Sequence, residues 1–285
     1  MSFSRCLAER MPRPIGSKAL RRLGAAMAEY GIPLPPEYDS EYNVFLHHYD
    51  GVRADITADI SALDLCSAAG GDRFAWLAVG RTKSRDTLLD KLRDGKQLDS
   101  IRDVAGVRIV ANCTLTQQDA IVEYLGNHFS ATKAPIDRRA NPASGYRAVH
   151  LEVRYDGTPV EIQVRTRLQH IWAEIYEGLG DKWGRGIRYD KDPEDPDPNV
   201  AKERTELVRL LRSISTQHIA GVEALIDRQA NKYLPNREAR RKEAKFGRKL
   251  IKLEVDLENM LHNWATGFEV RELKHVPSEG EWGRQ

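Results

Sequence analysis

Polar residues that can take part in chemistry alternate with apolar residues over positions 148–165. Alternation with a period of two predicts strands with one apolar and one polar face, and Asp156-Gly157 predicts the turn between them. Either a two-residue or a four-residue loop would keep the apolar residues on one face and the polar residues on the other, because the two loop lengths differ by an even number of residues. The polar face collects His150, Glu152, Arg154, Glu161, Gln163 and Arg165. Two carboxylates among cations can take part in metal binding, or can form ion pairs on a solvated sheet face.

Three polar segments upstream of this hairpin carry further candidates for a site. They are Arg81-Thr82-Lys83-Ser84 with Lys91, then Asp103-Val104-Ala105-Gly106-Val107-Arg108, then Gly145-Tyr146-Arg147. Each has an ordinary explanation when taken alone: the lysines can be solvated, Asp103 can be a turn or cap residue, and Tyr146 can be a core aromatic. The sequence GxxxxGK[ST] does not occur in the chain, which excludes a Walker A loop.

The elements that must position these segments form a mixed region between two helical ones. Hydrophobic periodicity predicts helices within 1–30 and 39–66, separated by prolines. It then predicts a helix at 87–96, a strand at 107–111, a helix at 116–127, the hairpin, and a helix at 168–179. After an acidic, proline-rich stretch at 192–197, helices are predicted at 200–230 and 237–263. The fold class is therefore α+β, with an N-terminal helical region at 1–70, a core at 71–190 and a basic helical extension at 191–285.

Composition excludes several classes of protein. The three cysteines, Cys6, Cys66 and Cys113, are far apart and lack CxxC spacing, which argues against a disulfide framework or a structural zinc site. No apolar run approaches the roughly 18 residues of a membrane span. The N-terminus is too broken by charge for a signal peptide, so we expect a cytoplasmic protein. The net charge of +2 conceals basic segments at 10–22 and 237–252.

Four of the segments together resemble the synthetase domain of the RelA/SpoT nucleotidyltransferase family, whose members make alarmone nucleotides. They are GRTKSRDTLLDKL (80–92), IRDVAGVRIV (101–110), SGYRAVHL (144–151) and VEIQVRTRLQHIWAE (160–174), in the order of the family. The resemblance implies a mixed sheet of about five strands flanked by helices, with helical extensions at both ends. It also implies an ATP-dependent pyrophosphokinase that transfers diphosphate to a ribose 3′-hydroxyl. A His-Asp hydrolase signature is not evident, so we expect synthesis without degradation.

The resemblance assigns roles on the ATP side residue by residue. Arg81 and Arg108 would hold the adenine ring between two guanidinium planes. Asp103 and Glu161 would bind Mg²⁺, and Glu161 would complete the metal site, take the proton of the attacking hydroxyl, or both. The triphosphate would be lined by Lys83, Ser84, Thr87 and Lys91.

On the acceptor side, the resemblance implies that Tyr146 stacks on the acceptor base. The sugar and phosphates would be positioned by Arg147, His150, Gln163 and Arg165. Alarmone makers often carry a Pro-Lys pair just before the Gly-Tyr-Arg motif, whereas this chain has Asn141-Pro142-Ala143-Ser144. Without that lysine, Arg138 and Arg139 can substitute at the acceptor phosphates or contact RNA.

The sequences GYRAVH and EIQVRTRLQHIWAE look more like those of the toxic small alarmone synthetases than like those of the typical alarmone makers. Some enzymes of this toxic branch modify the 3′-terminal adenosine of tRNA. Basic residues of the C-terminal segment, such as Lys245 and Arg248, can contact an RNA backbone. We therefore favour tRNA as the acceptor of a translation-inhibiting toxin that an antitoxin neutralises. One alternative is a synthetase of (p)ppGpp from GDP or GTP, or of (p)ppApp from adenosine nucleotides. The other is a non-catalytic RNA-binding module.

Overall fold

The computed structural model describes residues 15–193, 195–231 and 237–267. A five-stranded mixed sheet lies at its centre, as expected. Its strands are β1 (Trp76–Thr82), β2 (Ala105–Ala111), β3 (Ile136–Asp137), β4 (Val149–Tyr155) and β5 (Thr158–Thr166). Their order in the sheet is β1-β2-β5-β4-β3, in which β2 and β5 run parallel and the other neighbours antiparallel.

The predicted hairpin is confirmed as β4 and β5. Asp156 and Gly157 both have positive φ, 46° and 75°, and form the two-residue turn between the paired residues Tyr155 and Thr158. An Asp-Gly pair suits this turn because glycine adopts positive φ at no steric cost and aspartate tolerates it. Pro159 pairs with Arg154 in the register and does not lengthen the loop.

Helices surround the sheet along the whole described chain. They are α1 (Ser17–Tyr30), α2 (Asp39–Ser61), α3 (Leu65–Ala68), α4 (Arg85–Arg93), α5 (Leu115–His128), α6 (Arg167–Trp183), α7 (Pro198–Ser213), α8 (Ala220–Ala230) and α9 (Arg237–Gly267). A π-helical segment, Ile214–Ile219, joins α7 to α8 and interrupts the continuous helix predicted at 200–230. Short 3₁₀ turns lie at Pro36–Tyr38, Leu98–Ser100 and Arg185–Tyr189. The first 14 residues, with Cys6, lie outside the described part.

Two clusters of buried apolar side chains form the core. The first joins α1, α2, α4 and α5 to the apolar face of the sheet, where Ile109, Leu151 and Ile162 are almost fully buried. The second joins α6 to the C-terminal helices, with Trp172 and Leu211 at its centre. Each flanking region thus shares a cluster of buried side chains with elements of the middle one, and the division at 70 and 190 stays a prediction. Within the described residues, no helix combines the length and the apolar character that a membrane crossing requires.

Candidate active site

The polar faces of β1, β2 and β5 line one cavity. Strand register places Arg81 opposite Gly106 and Gly106 opposite Glu161, in one row across the sheet. A Cβ atom at position 106 would lie 3.1 Å from the backbone oxygen of Glu161. Glycine therefore allows the strands to approach and leaves the centre of the row open. The cavity is lined by Arg81, Lys83, Asp103, Gly106, Val107, Arg108, Glu161 and Gln163.

Two lysines hold Asp103 at one side of this cavity. Lys83 Nζ lies 2.5 Å and Lys91 Nζ 2.9 Å from Asp103 Oδ2. Burial would raise the pKa of Asp103, but the charges and hydrogen bonds of Lys83 and Lys91 outweigh it and lower the pKa below its ordinary value. The carboxylate is therefore ionised at neutral pH beside the two cations predicted to line the triphosphate.

Glu161 lies at the same cavity and is also ionised. It accepts hydrogen bonds from His150 Nδ1 at 3.1 Å and from Gln163 Nε2 at 2.7 Å. Burial would raise its pKa, but these hydrogen bonds lower it, while the nearby charge of Asp103 opposes the decrease. Asp103 and Glu161 thus line the same cavity, and the charge of Asp103 acts on Glu161.

The chemistry of these two carboxylates fits Mg²⁺, which prefers one or two carboxylates together with phosphate oxygens and water. Among the residues that the structure describes, no group of three or more histidine, cysteine, aspartate or glutamate side chains could hold a metal ion. An ion at Asp103 and Glu161 would therefore depend on substrate phosphates for further ligands. This dependence suits a metal that arrives with ATP.

Two carboxylates of α6 hold the arginines predicted to bind adenine. Glu174 accepts a hydrogen bond from Arg108, and Glu177 Oε1 lies 3.8 Å from Arg81 and 3.7 Å from Arg108. Burial would raise the pKa of Glu177, but Arg165, Arg81 and Arg108 lower it to about 2. Our sequence analysis missed both glutamates. Their spacing of three residues on one predicted helix, starting at the end of a matching segment, was the available signal.

The N-terminus of α4 begins beside Lys83. Ser84 is its N-cap, and the Ser84 and Thr87 hydroxyl oxygens lie 2.7 Å apart. Helix N-termini favour anions because their backbone N–H groups are unpaired and the helix dipole is positive there. This placement suits the triphosphate role predicted for Ser84, Thr87 and Lys91, which stays a prediction.

On the acceptor side, Tyr146, His150 and Gln163 form a hydrogen-bonded group with Glu161. Arg165 joins them but is fully buried, and it donates to Tyr146 and Gln163. In this structure the guanidinium therefore lies behind Tyr146 and behind Gln163, which lines the cavity, and its predicted contact with the acceptor stays a prediction.

Two further arginines are also bound by carboxylates of this chain. Arg147 is 4% exposed and donates to Glu223 of α8 at 2.6 Å, so it ties the loop before β4 to the C-terminal helices. Arg139 is bound by Asp137, at 2.7 Å, and by Asp119, at 2.5 Å. These carboxylates already neutralise a side chain predicted to contact acceptor phosphates or tRNA.

The remaining predicted nucleic-acid contacts are Arg138, Lys245 and Arg248. Arg138 donates its backbone amide to Ala148 O, which extends the pairing of β3 with β4. Lys245 and Arg248 are exposed on α9. That they contact RNA stays a prediction.

Comparisons with known proteins bear on the family of the chain. Residues 80–184 match the model described as "Region found in RelA / SpoT proteins". The uncharacterized proteins Rv1366 of Mycobacterium tuberculosis and Mb1401 of Mycobacterium bovis are each 39% identical over 223 residues, which cover 74% of this chain and 79% of theirs. The crystal structure of small alarmone synthetase 1 from Bacillus subtilis bound to its product pppGpp is 22% identical, with a TM-score of 0.49, over 66% of this chain and 99% of that one. The chain belongs to the RelA/SpoT family of pyrophosphokinases.

Proposed function

We propose that this chain transfers diphosphate from ATP to a ribose 3′-hydroxyl at the cavity between β1, β2 and β5. One observation carries the proposal: the two acidic residues, Asp103 and Glu161, line the same cavity as Arg81, Lys83 and Arg108. Diphosphate transfer needs this combination, because the phosphates must be held in line with the attacking oxygen and their developing charge must be neutralised.

Each side of the cavity has its task in the reaction. Arg81 and Arg108 hold the adenine. When ATP binds, Lys83 and Lys91 leave their ion pairs with Asp103 and pair with the phosphates of ATP. Mg²⁺ bound at Asp103 and Glu161 would supply positive charge to the phosphate oxygens. The 3′-oxygen forms a bond to the β-phosphorus, the bond from that phosphorus to the α,β-bridging oxygen breaks, and AMP leaves with that oxygen.

Glu161 is our candidate for the group that accepts the proton of the 3′-hydroxyl. Its lowered pKa keeps it ionised at neutral pH, although a base with a low pKa removes protons weakly. We therefore assign Glu161 mainly to orienting the hydroxyl and balancing charge, with the proton passing to its carboxylate as the new bond forms.

A free guanosine nucleotide, GDP or GTP, is the acceptor that family membership supports best. Region 80–184 is the part of RelA and SpoT proteins that this chain shares, and the resemblance implies alarmone synthesis for such domains. The product would be (p)ppGpp. Tyr146 would stack on the guanine, with His150 and Gln163 beside the ribose.

The 3′-terminal adenosine of tRNA is the second candidate, and one observation favours it. A nucleoside di- or triphosphate carries several negative charges next to its ribose, whereas a terminal nucleotide of RNA carries a single phosphodiester charge there. The arginines that could neutralise more charge, Arg139 and Arg147, are bound by internal carboxylates. In this case the chain would act as a toxin, and we would expect a neutralising antitoxin protein.

Incubation with γ-³²P-ATP and Mg²⁺ tests the proposal and separates the acceptors. Label should move to GDP or GTP in the first case and to tRNA in the second, and Glu161→Gln should lower the transfer at least about 100-fold. Removal of the 3′-hydroxyl from the acceptor should abolish it. Transfer to none of these acceptors, or full transfer by Glu161→Gln, would overturn the proposed function. Transfer to ATP or ADP would indicate (p)ppApp synthesis.

A further inference from the structure

Five side chains at the acceptor side form a closed ring of hydrogen bonds. One arm runs from Arg165 to the Tyr146 hydroxyl at 3.0 Å, from there to His150 Nε2 at 2.9 Å, and from His150 Nδ1 to Glu161 Oε1 at 3.1 Å. The other arm runs from Arg165 to Gln163 Oε1 at 3.1 Å, and from Gln163 Nε2 to Glu161 Oε2 at 2.7 Å. Both arms start at one guanidinium and end on the two oxygens of one carboxylate.

The chemistry of the donors sets the direction of the bonds in this ring when His150 is a neutral imidazole. Arginine can only donate, so the Tyr146 oxygen accepts from Arg165 and gives its own hydrogen to His150 Nε2. In the neutral imidazole, Nε2 is then the acceptor and Nδ1 carries the proton that Glu161 accepts. The Gln163 amide is oriented in the same way, since its oxygen faces Arg165 and its nitrogen faces Glu161. Each oxygen of Glu161 therefore receives one fixed donor.

The start of both arms is itself held rigidly. Arg165 is fully buried, its nitrogens lie 3.4 Å from Glu177 and 3.9 Å from Glu174, and its guanidinium carbon lies 4.9 Å from the centroid of the Tyr146 ring. A cation over the face of an aromatic ring is favourable. The guanidinium also covers one face of that ring, which packs partly against the second core cluster.

We propose that the Tyr146 hydroxyl and the Arg165 guanidinium are positioning groups, which orient Glu161 through the two arms of this ring and link acceptor stacking at Tyr146 to the carboxylate that meets the 3′-hydroxyl. This inference rests on the proposed function. It gives Tyr146 two separable tasks: the ring binds the acceptor base, and the hydroxyl orients Glu161.

Tyr146→Phe separates the two tasks, because it keeps the ring and removes only the hydroxyl. We expect kcat to fall about 10–100-fold, the usual cost of losing a group that orients a ligand or catalytic residue, while KM for the acceptor stays within about twofold. Tyr146→Leu should raise that KM as well. Tyr155→Phe is the matched control, since Tyr155 ends strand β4 and its hydroxyl also donates to a carboxylate, Asp59, outside the cavity. It should keep the wild-type kcat.

A double-mutant cycle shows whether the hydroxyl acts through Glu161. Once Glu161→Gln has removed the carboxylate, adding Tyr146→Phe should cost less than about twofold further, because a positioning group has nothing left to position. Residual rates can be followed in single-turnover reactions with labelled ATP. Arg165→Lys retains the charge but lacks the planar guanidinium that lies over the Tyr146 ring and beside Glu174 and Glu177, so it should lower kcat as Tyr146→Phe does.

The outcomes distinguish this inference from the function on which it rests. A wild-type chain that transfers no diphosphate overturns the proposed function, and this inference with it. An active wild type whose Tyr146→Phe variant keeps full kcat overturns the inference alone. So does a Tyr146→Phe variant in which only KM changes. So does a double-mutant cycle in which Tyr146→Phe lowers kcat by the same factor with and without Glu161→Gln.

Discussion

The loop that carries Tyr146 depends on glycine at position 145, where we expect alanine to be damaging. Gly145 has φ of +87°, a left-handed conformation that costs an L-residue with a side chain about 1–2 kcal/mol. A Cβ atom there would lie 2.9 Å from Trp172 Cζ2 and 3.1 Å from Arg212 Cα. The first neighbour is a buried ring and the second is backbone, so neither can yield easily. Overpacking of this kind adds about 1–3 kcal/mol.

Gly157→Ala is the matched control for this substitution. Gly157 also has positive φ, +75°, but a Cβ atom at that position would meet nothing within 4 Å. Both variants therefore have the backbone cost, and only Gly145→Ala has the packing cost. The difference of about 1–3 kcal/mol corresponds to a Tm about 2–12 °C lower for Gly145→Ala, since each kcal/mol shifts Tm by roughly 2–4 °C in large domains.

The same pair of variants should differ in activity. Displacement of the loop at Gly145 moves the adjoining Tyr146, and misplacement by about 1 Å can cost on the order of 100-fold in rate. We expect Gly145→Ala to lose about 10–100-fold in diphosphate transfer and Gly157→Ala to stay near the wild-type rate. Thermal unfolding and label transfer measure the two effects. Equal Tm values for the two variants, with equal activity, would refute the packing argument.

Three further predictions concern charge. Glu161→Gln and Asp103→Asn should each lower label transfer at least about 100-fold without lowering Tm by more than a few degrees, and an active variant would reject that residue from the site. The pKa of Glu177 is about 2, below its ordinary 4.5, so its ionised form stabilises the fold above about pH 4.5, and this contribution is lost as pH falls toward 2. The difference in Tm between wild type and Glu177→Gln should therefore become smaller as pH falls from about 4.5 toward 2. A difference in Tm that stays constant over this range would contradict the assignment. Charge reversal at Lys245 and Arg248 should slow reaction with tRNA, more so at low salt, and spare reaction with GDP or GTP; an unchanged tRNA rate would exclude α9 from RNA contact.

The sequence predicted those parts of the fold that local patterns determine. The period of two over 148–165 and the Asp156-Gly157 turn define β4 and β5 almost to the residue, because alternation and turn chemistry act between near neighbours. Strand β1 was not predicted, since Trp76–Thr82 is only half-buried and mixes small, apolar and basic residues without clear alternation. β3 has two residues, too few for any period to be visible.

Residue type indicated which side chains belong near the site, but not the direction in which each one faces. The polar face of the hairpin contains both Gln163 and Arg165, and period alone treats them alike. Their difference arises because α6 returns across the end of β5 and its Glu174 and Glu177 bind Arg165. Arg147, the neighbour of Tyr146, is buried for a similar reason, because Glu223 lies on a helix far along the chain. Such partners follow from tertiary packing and have no local signature.

The same tertiary contacts change how the C-terminal helices are to be understood. The loop before β4 is held at three points: Ser144 Oγ donates to Asp190, Gly145 O accepts from Ser215 Oγ at 2.6 Å, and Arg147 pairs with Glu223. Ser215 lies in the π-helical segment, an uncommon geometry that often marks functional positions.

Because these partners lie in or beyond the turn that follows α6, the segment after residue 184 is part of what positions Tyr146. A role limited to RNA binding would predict that its loss affects only tRNA. The contacts predict instead that disruption at Ser215 or Glu223 reduces transfer to every acceptor. The C-terminal helices therefore support the acceptor side of the site whichever acceptor is used, and any binding partner that shifted them would act on catalysis through this loop.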